Sequence, residues 1–199
     1  MRGVVPRRGR RLRRGFYRRD PREVAPDLLN KVLVHGARAG RIVEVEAYCG
    51  ALDPASHAYR GPTARNATMF GPPGGLYVYF TYGMHWCANV VCAEEGVAGA
   101  VLLRALAPLR GLDEMRAARV VARRERDLCS GPAKLCQALG IDRAHDGADL
   151  PTADRTVTIV EDGVAPPPTP AVSGRIGVST GVDAQWRWFI SDDPNVSRR

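Results

Sequence analysis

The first chemistry in the sequence lies in Arg41-Ile42-Val43-Glu44-Val45-Glu46-Ala47-Tyr48. Strand alternation puts Val43, Val45 and Ala47 on one face and Glu44, Glu46 and Tyr48 on the other. A carboxylate beside an aromatic ring suits hydrolysis of a base from its sugar: one group deprotonates water, and a flat surface stacks the base. A plain amphipathic strand with a solvated face also fits, and on this segment alone it is the preferred reading. His57 follows in a polar loop, where imidazole is ordinary surface unless it stacks on a base or bonds its edge. Asn89 sits among Ala88, Val90 and Val91, either as hydrogen-bonded structure or as a specificity group in a pocket. Arg104 ends the apolar run Val101-Leu102-Leu103 and needs an anionic partner there, a carboxylate or a phosphate.

Two further segments could touch an extended ligand. Leu76 to Tyr82, Gly83, and His85 to Val91 form a hairpin signal with a tight turn at Gly83. Tyr77 and Tyr79 share one face of it, and for Tyr77 packing is the strong reading. Tyr82 and Met84 flank the turn glycine, where a core explains them poorly. An aromatic and a thioether at a hairpin tip suit a wedge that enters a base stack and fills the gap left by an extruded nucleotide. Ser130-Gly131-Pro132-Ala133-Lys134 can open a helix whose free N–H groups, with Lys134, bind a phosphate; capping alone also explains it and is preferred on local evidence.

The elements that must position these residues follow from pattern. Asp27 to Asn30 closes a short helix; Val32 to Val34, Arg41 to Tyr48, Ala98 to Leu106, Thr156 to Val160, Gly174 to Val178 and Trp188 to Ile190 read as strands. A helical turn is expected near Ala64 to Met69. Leu112 to Arg126 reads as an amphipathic helix, and Ser130 as the cap of a second one running to Leu139. The mixture predicts one α+β domain with a curved, mostly antiparallel sheet, flanking helices and a protruding β-hairpin.

The chain has 199 residues, 45% hydrophobic and 25% charged, which suits one globular domain over residues 16–199. Residues 1–15 carry most of an arginine block with little apolar content, expected to be a disordered basic tail that touches nucleic acid or is simply solvated. A net charge of +8 points to an anionic partner, nucleic acid before membrane or ribosome. No apolar run is long enough to span a bilayer and no secretory signal follows the basic start, so a soluble, intracellular chain is expected, cytoplasmic and nucleoid-associated if bacterial. Five cysteines, an odd count without a CxxC pair, read as reduced buried thiols; no metal and no cofactor are expected.

Together GRIVEVEAYCG (40–50), Ser56-His57, GLYVYFTYGM (75–84), AVLLRALAP (100–108) and DLCSGPAKLCQAL (127–139) resemble the alkyladenine (3-methyladenine) DNA glycosylase family, in family order. The resemblance implies a DNA N-glycosylase that acts on damaged double-stranded DNA as a monomer. It extrudes alkylated, deaminated or etheno purines and hydrolyses the N-glycosidic bond. By the same resemblance Glu46 is the general base, and Tyr48 stacks on one face of the base while His57 and Tyr79 cover the other. Asn89 crowds the exocyclic amine of normal guanine, Tyr82 intercalates beside Met84, and Arg104 holds the flipped nucleotide's phosphate near the water. His85-Trp86 depart from the aromatic pair more usual after the tip, and no general acid for neutral bases can be named. No motif places a lysine as a Schiff-base nucleophile, so a monofunctional enzyme is expected. A non-catalytic nucleic-acid-binding protein is the alternative, and it leaves Glu46 beside Tyr48 without a reason. A metal-dependent hydrolase would need a ligand cluster that the sequence lacks.

Overall fold

A computed structural model describes residues 9–197. Ten strands and four α-helices form one domain around a curled antiparallel sheet, a half-barrel in outline. In chain order they are β1 (Arg10–Arg11), α1 (Arg14–Tyr17), α2 (Pro21–Leu28), β2 (Val32–His35), β3 (Arg38–Tyr48), β4 (Gly75–Thr81), β5 (His85–Cys92), β6 (Gly99–Arg110), α3 (Leu112–Ala118), α4 (Pro132–Leu139), β7 (Ala148–Asp149), β8 (Val157–Glu161), β9 (Ala171–Ser173) and β10 (Arg187–Phe189). The sheet order is β1-β8-β2-β3-β6-β5-β4-β7, with β10 on β3 and β9 on β10. Strand β3 is therefore lined on one edge by β6 and on the other first by β2 and then by β10.

Alternation along the central strands separates two environments. Leu33, Ile42, Val45, Ala47, Leu76, Val78, Ala88, Val90, Val101 and Leu103 face the main core, against Leu28 of α2 and Leu135, Ala138 and Leu139 of α4. The opposite face carries Glu46, Tyr48, Tyr77, Tyr79, Asn89 and Arg104 beside a smaller apolar cluster that includes Met69, Val91 and Ala100, so both faces are filled and this one mixes polar with apolar side chains. The β3–β6 register slips three times, and the two slips beside the glutamates fall one on each strand: Ile42 pairs Leu106, Glu44 pairs Ala105, and Val45 pairs Leu103. Such bulges re-aim side chains, and here the slip leaves Arg104 between the two glutamates. At the end of β3, Gly50 has φ 53, and a Cβ there would lie 2.1 Å from the Ala98 carbonyl oxygen. No side chain fits that close approach, so glycine sets the departure of the next loop.

Several expectations need correction. The helix expected over Leu112 to Arg126 stops at Ala118, and only Met115 of its supposed apolar side is buried. Val120 and Val121 are exposed, and Arg119 instead turns inward to Gln137. The arginines that follow repel one another at helical spacing, so the chain passes through an open segment into a 3-10 turn at Glu125–Asp127. Gly174 to Val178 is loop rather than strand, because Arg175 and the Ile176 N–H are spent on acidic side chains instead of on a ladder. Ser130 does not cap α4; Gly131 takes the cap position with φ 155, Pro132 starts the helix, and the Ser130 hydroxyl accepts from Lys134 Nζ. Residues 1–8 of the expected tail lie outside the described residues, while residues 9–15 belong to the fold: Arg10–Arg11 pairs with β8 and Leu12 is buried. No helix of the described residues is long and apolar enough to cross a membrane.

Candidate active site

The pair Glu44 and Glu46 lies in the middle of the sheet, and neither carboxyl is solvated. A buried carboxylate is tolerated only where donors replace its water. Glu44 receives Arg104 Nε at 3.0 Å, Arg187 Nε at 2.8 Å, and the Ser197 N–H and hydroxyl at 2.7 and 2.9 Å. Burial pushes the Glu44 carboxyl up, but the Ser197 N–H and the two arginines outweigh it and hold the group below the usual carboxylate range. Glu46 receives the Ile176 N–H at 2.7 Å on Oε1, and Tyr48 hydroxyl at 3.0 Å and Arg104 Nη1 at 3.1 Å on Oε2. These three donors come from β3 itself, from β6 and from the loop before β10, so three separate elements fix one carboxylate.

In front of Glu46 opens a cavity of about 1020 Å³. Tyr48, Arg104 and Ile176 form its wall on the Glu46 side. The Tyr48 ring is backed by the Arg175 guanidinium, 4.7 Å from the ring centroid, and Arg175 is in turn held in a buried ion pair by Asp53. Burial first, and the neighbouring Glu46 second, push the Tyr48 phenol far above its ordinary value, so it stays a donor. Across the cavity the His57 and Tyr79 rings meet edge to face at 4.5 Å, and Tyr79 stacks on Tyr77 at 5.5 Å. The Tyr77 hydroxyl lies 3.1 Å from His57 Nδ1. Burial, and after it Arg65, lower the His57 pKa and keep the imidazole neutral near pH 7. Asn89 is buried, with Nδ2 donating to the Tyr77 carbonyl at 3.2 Å.

Tyr82 and Met84 are exposed at the β4–β5 turn, where the Met84 N–H bonds the Thr81 carbonyl and both Tyr82 and Gly83 have positive φ. Tyr82 also lines the cavity, as do Ser130, Gly131 and Lys134 at the start of α4. Every residue singled out in the sequence except Glu46 and Met84 is thus found at one cavity, with Glu46 directly behind its wall. Glu44, Arg187, Ser197, Ile176 and Arg175 were missed, because their roles depend on partners more than a hundred residues away. Tyr77 was read as packing; it is buried, yet its hydroxyl also orients His57. The five cysteines are buried and unpaired, and among the described residues no three His, Cys, Asp or Glu side chains cluster as metal ligands.

Comparison with known proteins identifies the family. Residues 15–194 match the family described as Methylpurine-DNA glycosylase (MPG). A protein of Burkholderia cenocepacia (strain HI2424) is 60% identical over 185 residues, covering 92% of this chain and 89% of that protein. One from Streptomyces avermitilis is 49% identical over 192 residues, covering 94% and 90%. One from Rhodopseudomonas palustris (strain CGA009) is 47% identical over 199 residues, covering 98% and 92%. All three carry the same provisional name, 3-methyladenine DNA glycosylase. The chain belongs to the methylpurine-DNA glycosylase family, and its activity is that of a DNA N-glycosylase.

Proposed function

We propose that the cavity receives a damaged purine rotated out of the duplex and that Glu46 activates the water that displaces it. The observation that carries this reading is a buried carboxylate directly behind an aromatic-walled cavity, held by Tyr48, Arg104 and the Ile176 N–H. An ionised carboxylate offers about four acceptor positions. Three are taken, which leaves one for a water aimed at the anomeric carbon. Glu46 takes the water's proton as the base departs. Tyr48 stacks on one face of the purine; His57 and Tyr79 cover the other. Asn89, immobilised by the Tyr77 carbonyl, excludes an exocyclic amine at the purine 2-position. Arg104 orients Glu46 and reaches the phosphate of the flipped nucleotide. Tyr82 and Met84 enter the stack, and Ser130, Gly131 and Lys134 contact the backbone.

Extrusion costs a few kcal/mol, less at a weakened pair, and stacking returns about 1–3 kcal/mol per ring. The product is an abasic site without a nick. The chain has two lysines, Lys31 and Lys134, and neither hydrogen-bonds Glu46. The test uses duplexes bearing hypoxanthine, 1,N6-ethenoadenine or 3-methyladenine, incubated with protein and EDTA. Strand breaks at the lesion only after hot alkali are expected. Breaks without alkali or an abasic endonuclease would overturn the monofunctional reading, and no breaks on any lesion would overturn the substrate class.

A further inference from the structure

Four arginines of the described residues are buried: Arg104, Arg119, Arg175 and Arg187. Three of them face carboxylates, Arg104 and Arg187 through Glu44 and Arg175 through Asp53. Arg119 does not. It is 7% exposed, its Nη1 donates to Gln137 Oε1 at 2.7 Å, its Nε is buried without a hydrogen-bond partner, and among the described residues it makes no ion pair. A buried cation without a counter-charge is costly, and its retention calls for an anion from outside the chain. Burial pulls its pKa down, and the fields of Cys129 and Asp127, with which it forms no ion pair, offset this only in part.

Its surroundings say where that anion arrives. Arg119 lines the same cavity as Arg104 and Lys134, and among the described residues no Asp or Glu lines it. Gln137, which holds Arg119, stands three residues beyond Lys134 on α4, so the two share a helix face. The first turn of α4 offers the Ala133 and Lys134 N–H groups, which have no partner within the helix. Among the described residues the Lys134 ammonium bonds only the neutral Ser130 hydroxyl, at 3.4 Å. Arg104, by contrast, already spends Nε and Nη1 on Glu44 and Glu46.

We infer that Arg119 and Lys134, with the first turn of α4, form a second phosphate subsite at the cavity mouth that clamps a backbone phosphate of the strand carrying the flipped nucleotide. This deepens the proposed function and rests on it for the identity of the strand. The guanidinium supplies a fork of donors to a phosphate that would otherwise meet only point charges. Gln137 fixes the fork's direction without neutralising it, which a carboxylate at that position would do.

The experiment measures Kd for a hypoxanthine duplex, and for the same duplex undamaged, over a series of salt concentrations in EDTA. Arg119→Gln is expected to weaken binding roughly tenfold at low salt and to reduce the salt slope by about 1, as loss of one phosphate contact requires. Arg119→Lys, which keeps the charge, restores the slope. Gln137→Glu at its exposed position pairs the buried cation: it is expected to raise the melting temperature while lowering the slope by about 1. A slope unchanged in Arg119→Gln, a slope not restored by lysine, or a stabilised Gln137→Glu that keeps the wild-type slope would each overturn the subsite. If Arg119→Gln does not fold, Gln137→Glu and Lys134→Gln decide by the same slope. Failure of the wild type to release any base would instead strike the catalytic reading, since the slopes on undamaged duplex are read independently of turnover.

Discussion

The wall and the mouth of the cavity treat charge in opposite ways. At the wall, Glu44 and Glu46 are met by Arg104, Arg187, Tyr48, Ser197 and the Ile176 N–H, and every charge has a partner within the chain. At the mouth, Arg119 and Lys134 bond only the neutral Gln137 and Ser130 and pair with no carboxylate among the described residues, and Tyr82 and Met84 stand in solvent. The wall is built from the centre of the sheet, and the mouth from a hairpin tip, a helix start and the open segment after α3. Water activation needs a carboxylate fixed before substrate arrives, because reorganisation at the moment of reaction costs rate. Binding a polyanion needs the reverse: charge left uncompensated until the ligand supplies its complement. A substitution at the wall should therefore be felt in chemistry or stability, and one at the mouth in affinity and its salt dependence.

Glu46→Gln carries the largest expected effect. It keeps the shape, the cavity and, through its single oxygen, the Tyr48 and Arg104 contacts, but it gives up the Ile176 N–H bond and cannot take a proton. Single-turnover base release should fall about 10²–10⁴-fold with lesion-duplex affinity retained. Turnover near wild type would remove Glu46 from its role and dissolve the distinction between wall and mouth.

Glu44→Gln comes next, and it reads stability. It removes the charge from a site where two arginines converge, leaving Arg104 and Arg187 under-compensated; breaking such a buried pair costs about 3–5 kcal/mol. For a chain of this size that lowers the melting temperature by roughly 10 °C. Glu44 also sets a pH dependence. Its folded pKa lies below the unfolded carboxylate value of about 4.3, so it stabilises the fold above that value and the contribution is lost as pH falls through the lower, folded one. Thermal melts between pH 2 and 7 should show a shallower acid-side loss in Glu44→Gln than in wild type. An equal slope would place the donors around Glu44 in packing and not in charge compensation.

The sequence reveals this site unevenly, for physical reasons. Tyr48, His57, Tyr79, Asn89 and Arg104 could be picked out because local alternation and turn chemistry place them, and five ordered segments tie them to one family. Glu44 stood beside Glu46 in the pattern, but nothing near it tells a solvated carboxylate from one buried under Arg187 and Ser197, over 140 residues away. The segment Gly174 to Val178 has strand-like residues and became a loop because its N–H and guanidinium groups were claimed by Glu46 and Asp53. Arg119 lay hidden inside an apparent amphipathic helix. A helical period is read from apolar residues, and it does not register that one arginine turns inward where the helix ends.

The smallest expected effect belongs to the hairpin tip, and it separates wedge from fold. Tyr82 adopts φ 51, a conformation that a bulky side chain holds at a cost of about 1–3 kcal/mol. Its ring makes up for none of that within the chain, being 83% exposed. Glycine meets the same φ freely, so Tyr82→Gly should raise stability slightly, by about 0.5–1 kcal/mol at most after the flexibility it adds to the unfolded chain. Tyr82→Ser keeps a Cβ in the strained conformation and should leave the melting temperature nearly unchanged. Both lose the ring. Both should therefore weaken binding to lesion duplex roughly tenfold, and weaken binding to undamaged duplex less, if Tyr82 is the proposed wedge that acts only once a nucleotide has left the stack. If the two variants lost lesion and undamaged affinity equally, Tyr82 would be a general contact. If Tyr82→Gly melted below Tyr82→Ser, the strain would not be stored at the tip. In either case the mouth would differ from the wall by charge alone.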